Sequence, residues 1–276
     1  MHACLHRSLH RLWLLPNYET LRSEVSSHPL TDPCHSSMTK DSLDGVLLID
    51  KAPGMTSHDV VAITRRVLNT KKVGHCGTLD PLATGLLIVV IGKGTKIQDL
   101  LMAEDKEYVG TLRLGEVTDS QDADGEVTET HEVPALTRAQ IESAFERFKG
   151  DFYQTPPMVS AIKKEGVPLY KLARQGKTVE REPRFVHVFG YEVKDIRLPE
   201  IDFRVVCSKG FYVRTYAHDV GQALGCGAHL RSLRRTKSGR FSLEHAVTVE
   251  ELKSGNSAVV SAKILDLPTV SRMRGA

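Results

Sequence analysis

The sequence predicts an α+β fold, with a mixed, mostly antiparallel central sheet flanked by helices. Three observations carry that expectation. Short apolar or alternating runs outnumber segments of helical period, few of them are joined by regular helical crossovers, and no internal repeat is present. With 276 residues, 41% of them hydrophobic and 26% charged, the chain can bury one principal core.

Residues 1–43 differ from the rest, with three histidines by position 10, a short apolar run at 12–15 and a Ser/Pro/His-rich stretch to Ser37. They are expected to be poorly ordered. The acid-free first 18 residues allow an organellar transit peptide, and a true start at Met38 is the other reading. Regular structure should begin with the apolar run 45–50, a buried strand ended by Lys51-Ala-Pro-Gly54. Thr56 or Ser57 then caps a helix whose apolar positions include Val60, Val61, Ile63, Val67 and Leu68. Residues 74–85 form a turn-rich loop that feeds a central strand at 86–91.

An alternating strand is expected at 106–114, followed by an acidic loop or exposed hairpin over 116–132. Thr137 with Gln140 makes a capping box for a helix through Phe148. Next come a short strand at 158–162, a small helix at 169–175 and two antiparallel strands within 185–206. A helix from about Arg214 to Leu224 stops at Gly225, and Thr248 caps a last short helix.

The longest apolar stretch, 86–91, is far below the roughly 20 residues of a membrane span. Five cysteines without a CxxC pair give neither a disulfide framework nor a zinc cluster, which favours a reducing compartment, the cytoplasm. A mitochondrial or plastid location follows instead if residues 1–37 are a transit peptide. Charge is segregated along the chain. Residues 104–132 hold ten acids and two bases, 209–240 seven bases and one acid, and 163–184 seven bases and three acids. Two basic segments separated by an acidic one fit a polyanion footprint, with solvated surface charge as the alternative.

Asp80 alone reads as a turn residue, since Asp-Pro is a common turn dipeptide. Its loop also carries Gly74, Gly77 and Gly85, which permit close backbone approach to a ligand, together with His75. In Ser208-Lys-Gly-Phe-Tyr-Val-Arg-Thr215, period-two alternation puts Tyr212 and Arg214 on one side, and an arginine there can hold a carboxylate ionised. No P-loop, GxGxxG, metal-ligand spacing or Ser-His-Asp set occurs, so chemistry without a metal or other cofactor is expected.

The run Gly74-His75-Cys-Gly77-Thr-Leu79-Asp80-Pro81-Leu-Ala83-Thr84-Gly85 resembles the catalytic-aspartate motif of the TruB family of tRNA pseudouridine synthases. Lys51-Ala-Pro-Gly54-Met-Thr56-Ser57, Asp105-Lys106-Glu-Tyr108 and Ser208-Lys-Gly210-Phe-Tyr212-Val-Arg214-Thr are similar to its first, tyrosine and arginine motifs. The stretches 119–125, 154–161, 170–176 and 233–239 follow in the family's order, so that the likeness spans about residues 44–250.

The resemblance implies a pseudouridine synthase fold over 44–250 that isomerises the T-loop uridine 55 of tRNA with Asp80 as catalyst. Direct attack on the ribose, attack on the base and assisted elimination all stay open. It further implies that Arg214 pairs with Asp80, Tyr108 stacks on the target uracil, Tyr212 lines the pocket and His75 fills the space of a flipped-out base. Lys51, Lys106, Lys163, Arg174, Lys209, Arg231, Arg234 and Arg235 are the candidate RNA contacts, the partner being the tRNA T arm, and the chain is expected to act as a monomer.

Two departures from the family pattern stand out. Val159 replaces a frequent tyrosine, and residues 251–276 are too few for the PUA domain of many relatives. The alternatives are a synthase for a T-loop-like hairpin in another RNA, and a non-catalytic tRNA-binding or folding protein.

Overall fold

The computed structural model describes residues 43–160, 163–164, 166–168 and 179–275. The expectations for 1–43, apart from Leu43, the helix at 169–175 and the side chains of Lys163 and Arg174 lie outside the described residues, as does half of the basic segment 163–184. The first strand, β1 (Gly45–Lys51), leads to α1 (Ser57–Val67), capped by Thr56 in a reciprocal box with Asp59. Then come β2 (Val73–Cys76), β3 (Thr84–Ile91), a short 3₁₀ turn (Gly92–Ile97) and α2 (Gln98–Met102). The next elements are β4 (Lys106–Leu114), the hairpin of β5 (Glu116–Thr118) and β6 (Val127–Thr130), α3 (Arg138–Glu146) and β7 (Gly150–Gln154).

Two short strands, β8 (Lys163–Lys164) and β9 (Val167–Pro168), precede the long β10 (Arg184–Arg197) and β11 (Glu200–Cys207). The chain continues through α4 (Val213–Ala223), β12 (Ala228–Ser238), β13 (Phe241–Ser242) and β14 (Val247–Thr248). It closes with α5 (Val249–Lys253), α6 (Ser257–Ala262) and α7 (Leu267–Arg274).

The main sheet runs β14-β1-β3-β12-β4-β11-β10-β7, with β2 added to β3 and β13 to β12. Only β1 with β14 and β3 with β12 pair in parallel, so the sheet is mixed and mostly antiparallel. Its one half holds β1 and β3, apolar along nearly their whole length because both faces are covered. Leu47, Ile49, Leu87 and Val89 pack on the side of α1, whereas Val46, Leu48, Leu86 and Ile88 pack with Phe241 and with Val270 of α7. The other half, β4 to β7, lays one face on Ile141 and Phe145 of α3 and Tyr216 of α4. No helix among the described residues is long and apolar enough to cross a membrane.

Three expectations needed correction. Residues 74–76, read as part of a loop, belong to β2, a strand on the edge of β3. Residues 228–238, read only as a basic segment, form a central strand, which pairs with β4 along nearly its whole length. The expected strand at 158–162 is a bend over its described residues 158–160. The C-terminal segment also packs more tightly than a tail, because Leu265 exchanges backbone hydrogen bonds with Val46 of β1.

Candidate active site

The junction of the two half-sheets is only two residues long, Arg234 with Thr84 and Arg235 with Gly85. Gly85 is required there, since its φ is +95° and a Cβ would come within 2.3 Å of the Arg235 carbonyl. Just before this junction, residues 77–83 form the loop that carries Asp80. The loop's backbone is tied down on several sides. Ser57 Oγ donates to the Leu79 carbonyl at 3.0 Å and accepts from the Leu79 N–H at 2.9 Å. Gly54 N–H and Lys51 Nζ donate to the Pro81 carbonyl at 2.9 and 3.3 Å, and Arg235 donates to the Gly77 carbonyl at 3.1 Å. The segment 51–57 is thus the clamp of the aspartate loop.

Asp80 opens into a cavity of about 260 Å³, lined also by Lys106, Tyr108, Ser160, Tyr212, Arg214, Leu233 and Arg235. Arg214 Nε lies 3.0 Å from Asp80 Oδ2. The same guanidinium donates to the carbonyls of Ser120 and Val159, at 2.9 and 2.7 Å, and lies 3.5 Å from Asp122. Arg214 is almost fully buried, and its fork is therefore fixed in one orientation with one edge on Asp80. It belongs to the first turn of α4 and not to the extended segment that period two implies, while Tyr212 is the N-cap of that helix. The Gln154 side-chain amide brackets the Tyr212 peptide, accepting from its N–H and donating to its carbonyl.

Burial pushes the Asp80 carboxyl above the ordinary carboxylate range, against the pull of Arg214; Asp122 adds to the rise and Lys51 opposes it. Tyr108 stands opposite Arg235 in the β4–β12 register, and burial holds its phenol neutral by raising its pKa. Tyr212 is likewise raised by burial. His75 lies on β2, its ring edge-on to His58 at 5.2 Å, and it is not among the residues lining the cavity. Burial pulls it down to about 4, so its ring is uncharged at neutral pH, and Nδ1 has no hydrogen-bond partner among the described residues.

The eight candidate RNA contacts divide. Lys51 and Arg235 are buried; Lys51 donates to the carbonyls of Ala52, Met55 and Pro81, and Arg235 donates to those of Leu86 and Gly77 while also hydrogen-bonding the Tyr108 side chain at the cavity wall. In this structure both brace backbone, and reaching a phosphate would leave these carbonyls unpaired. Burial lowers Lys51 to about 8. Lys106 is also buried, donating to the Met102 and Glu104 carbonyls at the end of α2. Arg234 is partly exposed but grips Asp50 with two hydrogen bonds, at 2.9 and 2.6 Å. Arg231 and Lys209 are exposed. Asp122 and Gln154 carry no sequence signal of a role beyond lying in the stretches 119–125 and 154–161, and Ser57, one of two candidate caps, instead holds the Leu79 backbone while Thr56 is the cap. Among the described residues no group of His, Cys, Asp or Glu could hold a metal ion.

Comparison with known proteins agrees with this geometry. Residues 65–213 match the family described as TruB family pseudouridylate synthase (N terminal domain), and 214–263 match the tRNA pseudouridylate synthase B C-terminal domain. The tRNA pseudouridine synthase B of Opitutus terrae is 59% identical over 215 residues, which is 78% of this chain and 89% of that one. That of Burkholderia lata is 51% identical, over 78% of this chain and 67% of that one. Among solved structures, a Cbf5-Nop10-Gar1 complex superposes with a TM-score of 0.65 at 31% identity, covering 84% of this chain. An archaeal box H/ACA sRNP Nop10-Cbf5 complex gives 0.60 at 28%. The chain spans about three fifths of the chains matched in those two complexes.

Proposed function

The chain belongs to the TruB family of pseudouridylate synthases, and from that premise we propose that it isomerises uridine 55 in the T loop of tRNA, with Asp80 as the catalyst. The observation that carries the residue assignment is the ionic contact of Asp80 with a buried, immobilised Arg214 in a cavity walled by Tyr108 and Tyr212. A base inside a stem-loop stack is out of reach of that carboxylate, so the target uridine must be extruded into the cavity. The neutral ring of His75, outside the cavity wall, is then free to occupy the vacated stack.

The isomerisation conserves atoms. The N1–C1′ bond breaks, a C5–C1′ bond forms, C5 loses a proton and N1 gains one. Every route that uses Asp80, whether as a nucleophile or as a base, requires it ionised. Arg214 therefore serves by opposing the rise that burial imposes on the carboxyl, and by aiming it through the shared hydrogen-bond frame of Ser120, Asp122 and Val159. Tyr108 supplies a flat, uncharged face for the uracil. The test is release of tritium from C5 of uridine in a tRNA transcript: time-dependent release without added metal or nucleotide is expected, and none at any enzyme concentration rejects the assignment.

A further inference from the structure

Beside the catalytic cavity lies a second one of about 440 Å³, lined by Asp99, Met102, Ala103, Arg184, Phe185, Lys209 and Gly210. Met102 and Gly210 wall both cavities, so the two are immediate neighbours. Phe185 is 60% exposed, too much for a residue there to build a core. Its cross-strand neighbour is Tyr153, 71% exposed, and the two rings meet edge to face with centroids 5.7 Å apart. That contact steadies the Phe185 ring and leaves it open to the second cavity. Arg184 precedes it, and Lys209 comes from the loop that ends at Tyr212, the N-cap of the helix carrying Arg214.

We propose that this second cavity is a nucleotide subsite: an unpaired base next to the extruded uridine stacks on Phe185, backed by Tyr153, with its phosphate held by Arg184 and Lys209. The inference rests on the function proposed above and adds a contact on the substrate outside the reacting base. An RNA occupant is favoured over an apolar peptide because the aromatic platform is flanked by two cations and lies next to the cavity that takes the target base. Aromatic platforms with neighbouring cations are the common device for holding single-stranded nucleotides, and each stacked base changes affinity by about tenfold. Phe185 is a positioning residue in this scheme, since it touches the substrate away from the reacting atoms.

The experiment pairs protein and RNA changes on a T-arm stem-loop. Phe185→Ala is expected to raise the RNA dissociation constant and KM about tenfold, with the single-turnover rate at saturation within twofold of wild type. Phe185→Trp should restore binding. An abasic nucleotide placed in turn on either side of the target should weaken wild-type binding by a similar factor at one of the two positions. At that position it should cost Phe185→Ala nothing further. Unchanged melting temperature excludes a folding defect.

Equal losses from the abasic site in wild type and variant at both positions overturn the subsite, as does wild-type affinity in Phe185→Ala. Loss of self-association in Phe185→Ala with RNA affinity intact also overturns it, and assigns the platform to a second copy of the chain. If the wild-type protein forms no pseudouridine on any tRNA, the underlying function falls and the subsite with it. If it does and Phe185→Ala is indistinguishable, only the subsite falls.

Discussion

The two walls of the catalytic cleft are built on opposite plans. On the Asp80 side the backbone is the object held: Ser57, Lys51 and Arg235 direct their donors at the carbonyls of a seven-residue loop, and none needs a carboxylate partner. On the facing side the side chain is the object held, with Arg214 fixed by two carbonyls and Asp122 so that its remaining edge meets Asp80. The contrast teaches that a basic residue's position in a motif does not state its task. Buried cations with carbonyl partners brace, whereas exposed ones such as Lys209 and Arg231 keep their charge available to a polyanion.

The largest expected effect falls on the point where the walls meet. Asp80→Asn should lower the pseudouridylation rate by at least about 10⁴-fold, the scale of removing a catalytic nucleophile, while tRNA affinity stays within a few fold. Arg214→Met should come next, because it strips the buried Asp122 of its cation; a loss of about 3–5 kcal/mol in denaturant unfolding is expected. Activity wholly retained in this variant breaks the two-wall comparison.

The pH profile sharpens it. Protonation silences Asp80, so activity should fall tenfold per pH unit below its pKa, and that limb should sit above the ordinary carboxylate value because burial raises it. Arg214 pulls the other way, so any residual activity of Arg214→Met should show the limb displaced to higher pH. A limb unmoved or displaced downward contradicts the pairing.

On the bracing wall, Arg235→Met leaves the Leu86 and Gly77 carbonyls without this donor, and a destabilisation of about 1–3 kcal/mol is expected from unpaired buried groups. The salt dependence of tRNA binding should be unaltered. Arg231→Ala is the smallest and opposite case, with stability unchanged and the slope of log K against log salt reduced by about one. If Arg235→Met flattens the salt slope and Arg231→Ala does not, the division of the cations is wrong.

Much of this arrangement is legible in the amino-acid order. The apolar runs at 45–50 and 86–91 announce strands covered on both faces, and the Gly-rich stretch 74–85 announces a loop that must approach something closely. Helix starts are legible too: the capping box read at Thr137 is present, and the caps read at Thr56 and Thr248 are each closed as a reciprocal box. Central strand β12 is not legible, because Ala-His-Leu-Arg-Ser-Leu-Arg-Arg-Thr-Lys-Ser reads as a basic surface segment. Arg235 is buried on backbone carbonyls at the cleft and Arg234 holds Asp50, so polar partners replace the apolar neighbours of an ordinary central strand, while Arg231 stays exposed. β2 is short and carries a glycine and a histidine, and the edge strand β7 exposes Asp151 and Tyr153. Neither has the apolar alternation that marks a half-buried strand. The roles of Asp122 and Ser57 depend on contacts with Arg214 and Leu79, 92 and 22 positions away along the chain, which no local pattern records.

The most direct measurement is carbodiimide mapping with primer extension on an unmodified tRNA transcript incubated with wild-type protein or Asp80→Asn. The expected result is a single stop at the T-loop uridine, present with wild type and absent with the variant. A stop of equal strength in both, or none with wild-type protein that binds the transcript, contradicts Asp80 as the catalyst of tRNA pseudouridylation.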